Sequence, residues 1–266
     1  MQNIKSAQFL RNIAFEGKRI AKKSLGQNFL VSEEVIVKIT NSFEVTEKTN
    51  IIEIGPGLGS LTMFLLMRTE NFVGIEKDAE LNIKLSEVFS KTNAKFLNED
   101  ALKFNFARIS NEHTVIVSNL PYNVGTKILT HIGTTILQGI NSIVIMLQKD
   151  VIEKITAKYG NKNYHQLGVF FQTFCKIEQV CTVPSSAFSP VPSVLSAVIK
   201  ISPIKKINKI DEYWGFLHKA FSYNRKMLST IFDETIDEKF AKKRPNELKP
   251  EELLMVFQGL TVQTRT

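Results

Sequence analysis

The sequence predicts an α/β protein: a doubly wound, mostly parallel sheet followed by a small helical domain. Three observations carry that expectation. Between residues 50 and 159, short β-rich runs alternate with helical patterns, the signature of repeated βα units. Runs such as Val115-Ile116-Val117 and Ile143-Val144-Ile145 are continuously apolar, as expected when both faces of a parallel sheet are covered. Past residue 203 the pattern is helical, with no strand signal.

Taken in order, residues 1–23 read as a basic, weakly amphipathic arm. Ser32 can cap a helix over 33–43, whose first two residues, Glu33 and Glu34, suit a helix N-terminus. Strands are expected at 50–54, 71–75, 94–97, 114–118 and 142–147. Helices are expected at 60–68, 78–90, 125–133 and 149–159. Two more strands, 176–183 and 196–201, flank a proline-rich loop, 184–192, and extend the sheet antiparallel. A linker over 203–211 leads to helices at 211–222, 225–232 and 250–257. The expected domains are the arm (1–23), a ligand-binding domain (24–204) and a helical domain (205–266).

The chain of 266 residues carries 34 Lys and Arg against 26 Asp and Glu, a net charge of +8 that suits a polyanionic partner. Residues 1–30 hold six basic side chains against Glu16, so the arm carries most of the excess. Two cysteines, Cys175 and Cys181, exclude a disulfide scaffold and a Cys-rich zinc site. The four histidines lack metal-ligand spacing. No apolar run reaches the ~20 residues of a membrane span, and no secretory signal precedes the arm. A reduced, soluble, cytoplasmic protein is expected.

The central motif is Glu53-Ile54-Gly55-Pro56-Gly57-Leu58-Gly59-Ser60, following a strand and opening a helix. Glycines there let the chain turn sharply and let a ligand lie against the backbone. A dinucleotide fingerprint needs glycine at its sixth position, which here is Ser60. The loop fits the S-adenosylmethionine variant, which has no pyrophosphate to cradle, on a Rossmann-like methyltransferase sheet. Glu76, ending the next strand, can accept both ribose hydroxyl hydrogens. Asp100, ending the third, can reach the adenine amine, with Ala101 beside it.

The fourth strand runs into Asn119-Leu120-Pro121-Tyr122. Proline cannot continue a central strand, so this segment leaves the sheet at its carboxyl edge, where ligands bind in such sheets. An exocyclic adenine amine is a poor nucleophile because its lone pair is delocalised into the ring. The Asn119 side-chain oxygen and the Leu120 carbonyl can accept its two hydrogens and aim the lone pair at a sulfonium methyl. Tyr122 can stack on a flipped base. No strong general base is needed, and no histidine is a candidate.

These residues resemble the ribosomal RNA adenine N6-dimethyltransferase family, most closely its bacterial small-subunit branch, over nearly the whole chain from Lys22. Lys23-Ser24-Leu25-Gly26-Gln27-Asn28-Phe29-Leu30 resembles the N-terminal signature, and the resemblance implies cofactor contacts for Gln27, Asn28 and Leu30 alongside Gly55, Gly57, Glu76, Asp100, Ala101 and Asn119. Ala187-Phe188-Ser189-Pro190-Val191-Pro192 resembles the proline-rich loop, which implies that Phe188 stacks on the target adenine opposite Tyr122. One of 19 phenylalanines, Phe188 can alternatively fill core, but its flanking prolines favour a stiff, exposed setting. Ala220-Phe221-Ser222 with Arg225-Lys226, and Arg244-Pro245-Asn246-Glu247-Leu248, resemble the C-terminal domain.

The family usually carries Lys and Asp where this loop has Ser193 and Leu195. The resemblance implies transfer of four methyls to two adjacent adenosines near the 3′ end of 16S rRNA in the immature small ribosomal subunit, by a monomer. Rival readings are a large-subunit rRNA methyltransferase conferring macrolide resistance, a non-catalytic nucleic-acid-binding protein on this fold, and a DNA adenine methyltransferase. Lys22-Lys23 read either as a solvated pair or as phosphate guides. Lys205-Lys206 and Lys242-Lys243-Arg244 read as solvated surface.

Overall fold

The computed structural model describes residues 2–205, 209–232 and 236–263. Residues 206–208 of the expected linker, with Lys206, lie outside the described residues, as does the side chain of Lys23. The chain divides into two compact units, residues 1–149 with 178–202, and residues 150–177 with 203–266. The expected boundary at 204/205 lies two residues from the division at 202/203, and the expected domains differ from these units in two respects. The arm is part of the first unit, and residues 150–177 group with the C-terminal helices.

The first unit begins with α1 (Gln2–Ile20), a two-residue strand β1 (Phe29–Leu30) and α2 (Glu33–Thr40). Far from being free, α1 buries Leu10 and Ile13 in the core. Ser32 caps α2 as its sequence suggests, accepting from the Val35 N–H. There follow β2 (Asn50–Ile54), α3 (Ser60–Leu66), β3 (Phe72–Glu76), α4 (Ala79–Val88), β4 (Lys95–Asn98), β5 (Thr114–Asn119), α5 (Gly125–Thr135) and β6 (Ser142–Gln148). After the α6 (Lys149–Thr156) and α7 (Gln166–Phe174) helices come β7 (Cys175–Val183), β8 (Phe188–Ser189) and β9 (Ser196–Pro203).

The main sheet has seven strands in the order β4-β3-β2-β5-β6-β9-β7. Strands β4, β3, β2, β5 and β6 are parallel, and β9 runs antiparallel to β6. Strand order reverses between β2 and β5, which opens a crevice at their carboxyl ends. The apolar runs that predicted buried strands are buried: Ile116, Val117, Ile143, Val144 and Ile145 are all fully covered.

A second, two-stranded sheet pairs β1 with β8 antiparallel, Leu30 opposite Phe188. Two-residue strands carry no periodicity, so the sequence gives no sign of them. This pairing corrects the expectation for Phe188. The ring is 2% exposed and belongs to the core with Leu30, Val183 and Val198. Backbone pairing turns Phe188 inward; the proline-flanked stretch exposes Val191, Val194 and Leu195 instead.

The second unit comprises α6 and α7 with α8 (Ile210–Ser222), α9 (Leu228–Phe232), α10 (Glu238–Ala241) and α11 (Pro250–Gln263). Helix α7 had no counterpart in the sequence reading, because its Leu-Gly-Val-Phe-Phe-Gln-Thr-Phe run is apolar on nearly all faces and shows no stripe. Phe170, Phe171, Phe174 and Tyr213 form its aromatic core, with the Phe174 and Tyr213 rings 5.3 Å apart edge to face. The buried Tyr213 hydroxyl is satisfied by Thr173, 3.1 Å away.

Gly59 sets the entry of α3. Its φ of 82° lies in the left-handed region, and a Cβ there would sit 2.6 Å from the Phe89 ring. Gly59→Ala is expected to cost about 2 kcal/mol or more, from backbone strain and overlap together, read as a lower urea midpoint with unchanged slope.

Candidate active site

One cavity lies at the carboxyl edge of the first unit's sheet. It is lined by residues from four strand ends and from the segment 24–30. Of the residues singled out in the sequence, Gln27, Asn28, Leu30, Gly55, Gly57, Glu76, Asp100, Ala101, Asn119, Leu120, Pro121 and Tyr122 all line it; Phe188 does not.

The glycine loop closes against β3 through one carboxylate. Glu76 Oε2 accepts the Gly57 N–H at 2.9 Å, and Oε1 accepts the Asp78 N–H at 2.9 Å. Burial raises the Glu76 pKa, and the two backbone donors oppose that rise. Each oxygen keeps a further lone pair, so the carboxylate can still receive two hydroxyl hydrogens. Gly55 has a φ of 66°, and a Cβ built on it would meet nothing within 4 Å. The loop thus leaves an open cradle where a ligand can lie on the backbone. These features fit the ribose and methionine portions of S-adenosylmethionine.

Asp100 faces the same cavity from beyond β4. Its Oδ1 accepts the Leu102 N–H at 3.0 Å, and Oδ2 pairs with Lys77 Nζ at 2.8 Å. The Lys77 contact holds the Asp100 carboxyl below its usual range. Asp100 is therefore ionised and able to accept from an adenine amine. Lys77 was not visible as a site residue, because an isolated lysine after a strand has no distinguishing pattern.

Glu53 sits deeper in the cavity wall, 2% exposed, and accepts the Thr62 hydroxyl at 2.6 Å. Burial pushes its carboxyl up to about 8, with the neighbouring Glu76 adding to the shift and Thr62 opposing it. At neutral pH Glu53 is largely protonated.

The 24–30 segment covers one side. Gln27 accepts the Lys22 N–H at 2.8 Å and donates to Asp78 at 3.2 Å. Lys22 Nζ pairs with Asp78 and Glu80, each at 3.0 Å. Lys22 is thus tied to two carboxylates beside the cavity, which favours neither of the two roles expected for it. Asp78, which also caps α4, is the shared anchor. Its place two residues after Glu76, at a helix start, was a readable signal that the sequence reading did not use.

Asn119 ends β5. Its Nδ2 donates to the Asn28 carbonyl at 2.9 Å, so the side chain's donor end is taken and its oxygen is the end left to receive hydrogens. Pro121 breaks the strand, and its carbonyl accepts the Val124 and Gly125 N–H groups that start α5. Tyr122 is half-buried, its hydroxyl 2.6 Å from Ser196 Oγ. The four residues therefore present two acceptors and an aromatic face to one space. Among the described residues no group of three or more His, Cys, Asp or Glu could hold a metal ion, and no helix is long and apolar enough to cross a membrane.

The ribosomal RNA adenine dimethylase family model matches residues 19–255. The chain belongs to the ribosomal RNA adenine dimethylase family. A ribosomal RNA small subunit methyltransferase A from Sulfurihydrogenibium sp. (strain YO3AOP1) is 37% identical over 245 residues, covering 89% of this chain and 95% of that relative. One of the same name from Maridesulfovibrio salexigens is 37% identical over 255 residues, covering 90% and 94%. The crystal structure of a dimethyladenosine transferase from Plasmodium falciparum shares the fold, with a TM-score of 0.78 at 22% identity over 89% of this chain and 98% of that one. Membership in the dimethylase family brings S-adenosylmethionine as cofactor, and the residues of the cavity fit it.

The raised pKa of Glu53 has a stability consequence. Between the ordinary carboxylate pKa and about 8, the unfolded chain has released a proton that the folded chain retains. Stability therefore falls as pH rises through that window and levels off above it. Glu53→Gln keeps an acceptor for Thr62 and removes the ionisation. It is expected to be more stable than the native chain by on the order of a few kcal/mol at pH 8, the gap closing toward pH 4.5, in urea unfolding at both pH values.

Proposed function

We propose that the protein dimethylates the N6 amines of two adjacent adenosines near the 3′ end of 16S rRNA in the immature small ribosomal subunit. It acts as a cytoplasmic monomer in ribosome biogenesis. The observation that carries the reading is the bond from Asn119 Nδ2 to the Asn28 carbonyl, which dedicates the amide oxygen to accepting. The names of the relatives support the small subunit as substrate.

When bound, S-adenosylmethionine supplies an electrophilic methyl on a sulfonium. Glu76 holds the ribose hydroxyls, Asp100 the adenine amine, and Gly55 and Gly57 the backbone surface between them. Gln27, Asn28 and Leu30 close the cofactor from the opposite side. The target adenine, turned out of its RNA stack, lies against Tyr122.

Its amine donates one hydrogen to Asn119 Oδ1 and the other to the Leu120 carbonyl. Those two bonds draw the nitrogen out of conjugation with the ring and point its lone pair along the transfer axis. Orientation and fixed dipoles supply the acceleration, with no strong base involved. The methyl leaves a neutral thioether behind, and the methylated nitrogen, now cationic, releases one of its two protons to solvent; one hydrogen remains, and one acceptor suffices to orient the amine for the second transfer.

Asn119→Ala is expected to lower methyl transfer by at least 10²-fold while S-adenosylmethionine affinity, by calorimetry, falls less. Incubating the protein with labelled cofactor and purified ribosomal subunits lacking adenine dimethylation tests the substrate, with nucleoside analysis of the product. Dimethyladenosine in the small subunit alone is the expected result. Label in the large subunit, or none in either with cofactor binding intact, would overturn the reading.

A further inference from the structure

Tyr122 enters the cavity with its ring half-buried and its hydroxyl engaged. The engaging atom belongs to no part of the cofactor or acceptor machinery. Ser196 is fully buried and opens β9, the antiparallel strand that follows the proline-rich loop. Its backbone is fixed by pairing with Gln148 at the end of β6. Its hydroxyl stands 2.6 Å from that of Tyr122, the short end of the range for such a pair.

We propose that Ser196 is a positioning residue for methyl transfer: it holds the Tyr122 ring at the angle against which the target adenine stacks. The proposal rests on the reading of Tyr122 as the platform for the base. An aromatic side chain on a turn can swing about χ1, and Pro121 fixes only the backbone before it. Stacking alone restrains an adenine to a plane but leaves it free to slide. A platform pinned at its far end by a strand of the main sheet cannot swing about χ1, which removes one way in which the amine can miss Asn119 and Leu120.

The location gives the contact a further consequence. Leu195, the residue before Ser196, is exposed, and its carbonyl accepts the Lys149 N–H at 2.9 Å. The exposed loop residues Val191 and Val194 precede it. Ser196 thus joins the base platform to the strand that follows that loop.

The test uses Ser196→Ala, Tyr122→Phe and the double variant in the full chain, with single-turnover methylation of small subunits and calorimetry of cofactor binding. Ser196→Ala removes one oxygen from the strand; Tyr122→Phe breaks the same bond from the other side without touching it. Each single variant is expected to lose roughly 10- to 100-fold in the transfer rate with cofactor affinity within about twofold. The double variant is expected to lose no more than either single.

A transfer rate unchanged in either single variant, or losses that multiply in the double, would overturn the proposal. NMR of the Tyr122 side chain gives a readout independent of activity. A single χ1 rotamer in the native chain and averaged Hα–Hβ couplings in Ser196→Ala are expected; the same couplings in both would count against the proposal. If the native chain methylates neither subunit while the Tyr122 ring loses its order in Ser196→Ala, the functional reading fails and the positioning contact stands.

Discussion

The Glu76 carboxylate is the constraint on which the rest of the site depends. It lies at the end of β3, buried, and takes one N–H from the glycine loop and one from the turn into α4. A buried carboxylate is costly unless it is hydrogen-bonded, and these two donors are what make this one tolerable. In return they lock the loop after β2 to the end of β3. The loop's shape then fixes where α3 starts, and Asp78, held by the same carboxylate, caps α4 and receives Gln27 and Lys22. A single acid residue thus joins two βα turns and the segment that covers them.

Much of this was legible in the sequence because it depends on chemistry that only a few residue types perform. A turn needing positive φ at Gly55, Gly57 and Gly59, an acid at the next strand end and a proline after Asn119 each leave a mark at fixed spacing. The continuously apolar strands gave the sheet for a similar reason, since covering both faces leaves no choice of polar residue. These positions, with those the family resemblance implied, make twelve that converge on one cavity, and the ends of the parallel strands fell within a residue of their expected places.

What was not legible follows from weaker coding. Strands β1 and β8 consist of two residues each and are defined by pairing across the chain, which no local pattern records. Phe188 was misplaced for that reason: its prolines describe the stretch that follows it, whereas its own backbone is held by Leu30. Helix α7 hides its period by being apolar all round, and its removal from the first unit moved the domain boundary. Ser196, Thr62 and Lys77 are common residues whose importance comes from what lies opposite them in space. The arm read as basic and only weakly amphipathic because its charges are conspicuous and its buried apolar residues, Leu10 and Ile13, are few.

That arm also orders the protein's birth. Ser189 Oγ donates to the Ala14 carbonyl across a separation of 175 residues, and β1 pairs with β8 over nearly as long a stretch. The first helix and the 24–30 segment leave the ribosome early, yet their partners are made late, with only β9 after them in the first unit. At about 5–20 residues per second, translation keeps them waiting on the order of ten seconds or more. Until β8 emerges, Leu10, Ile13, Phe29 and Leu30 lack part of their cover. The nascent chain can assemble the parallel strands β2 to β6 before the wall of its own active site has anything to close against.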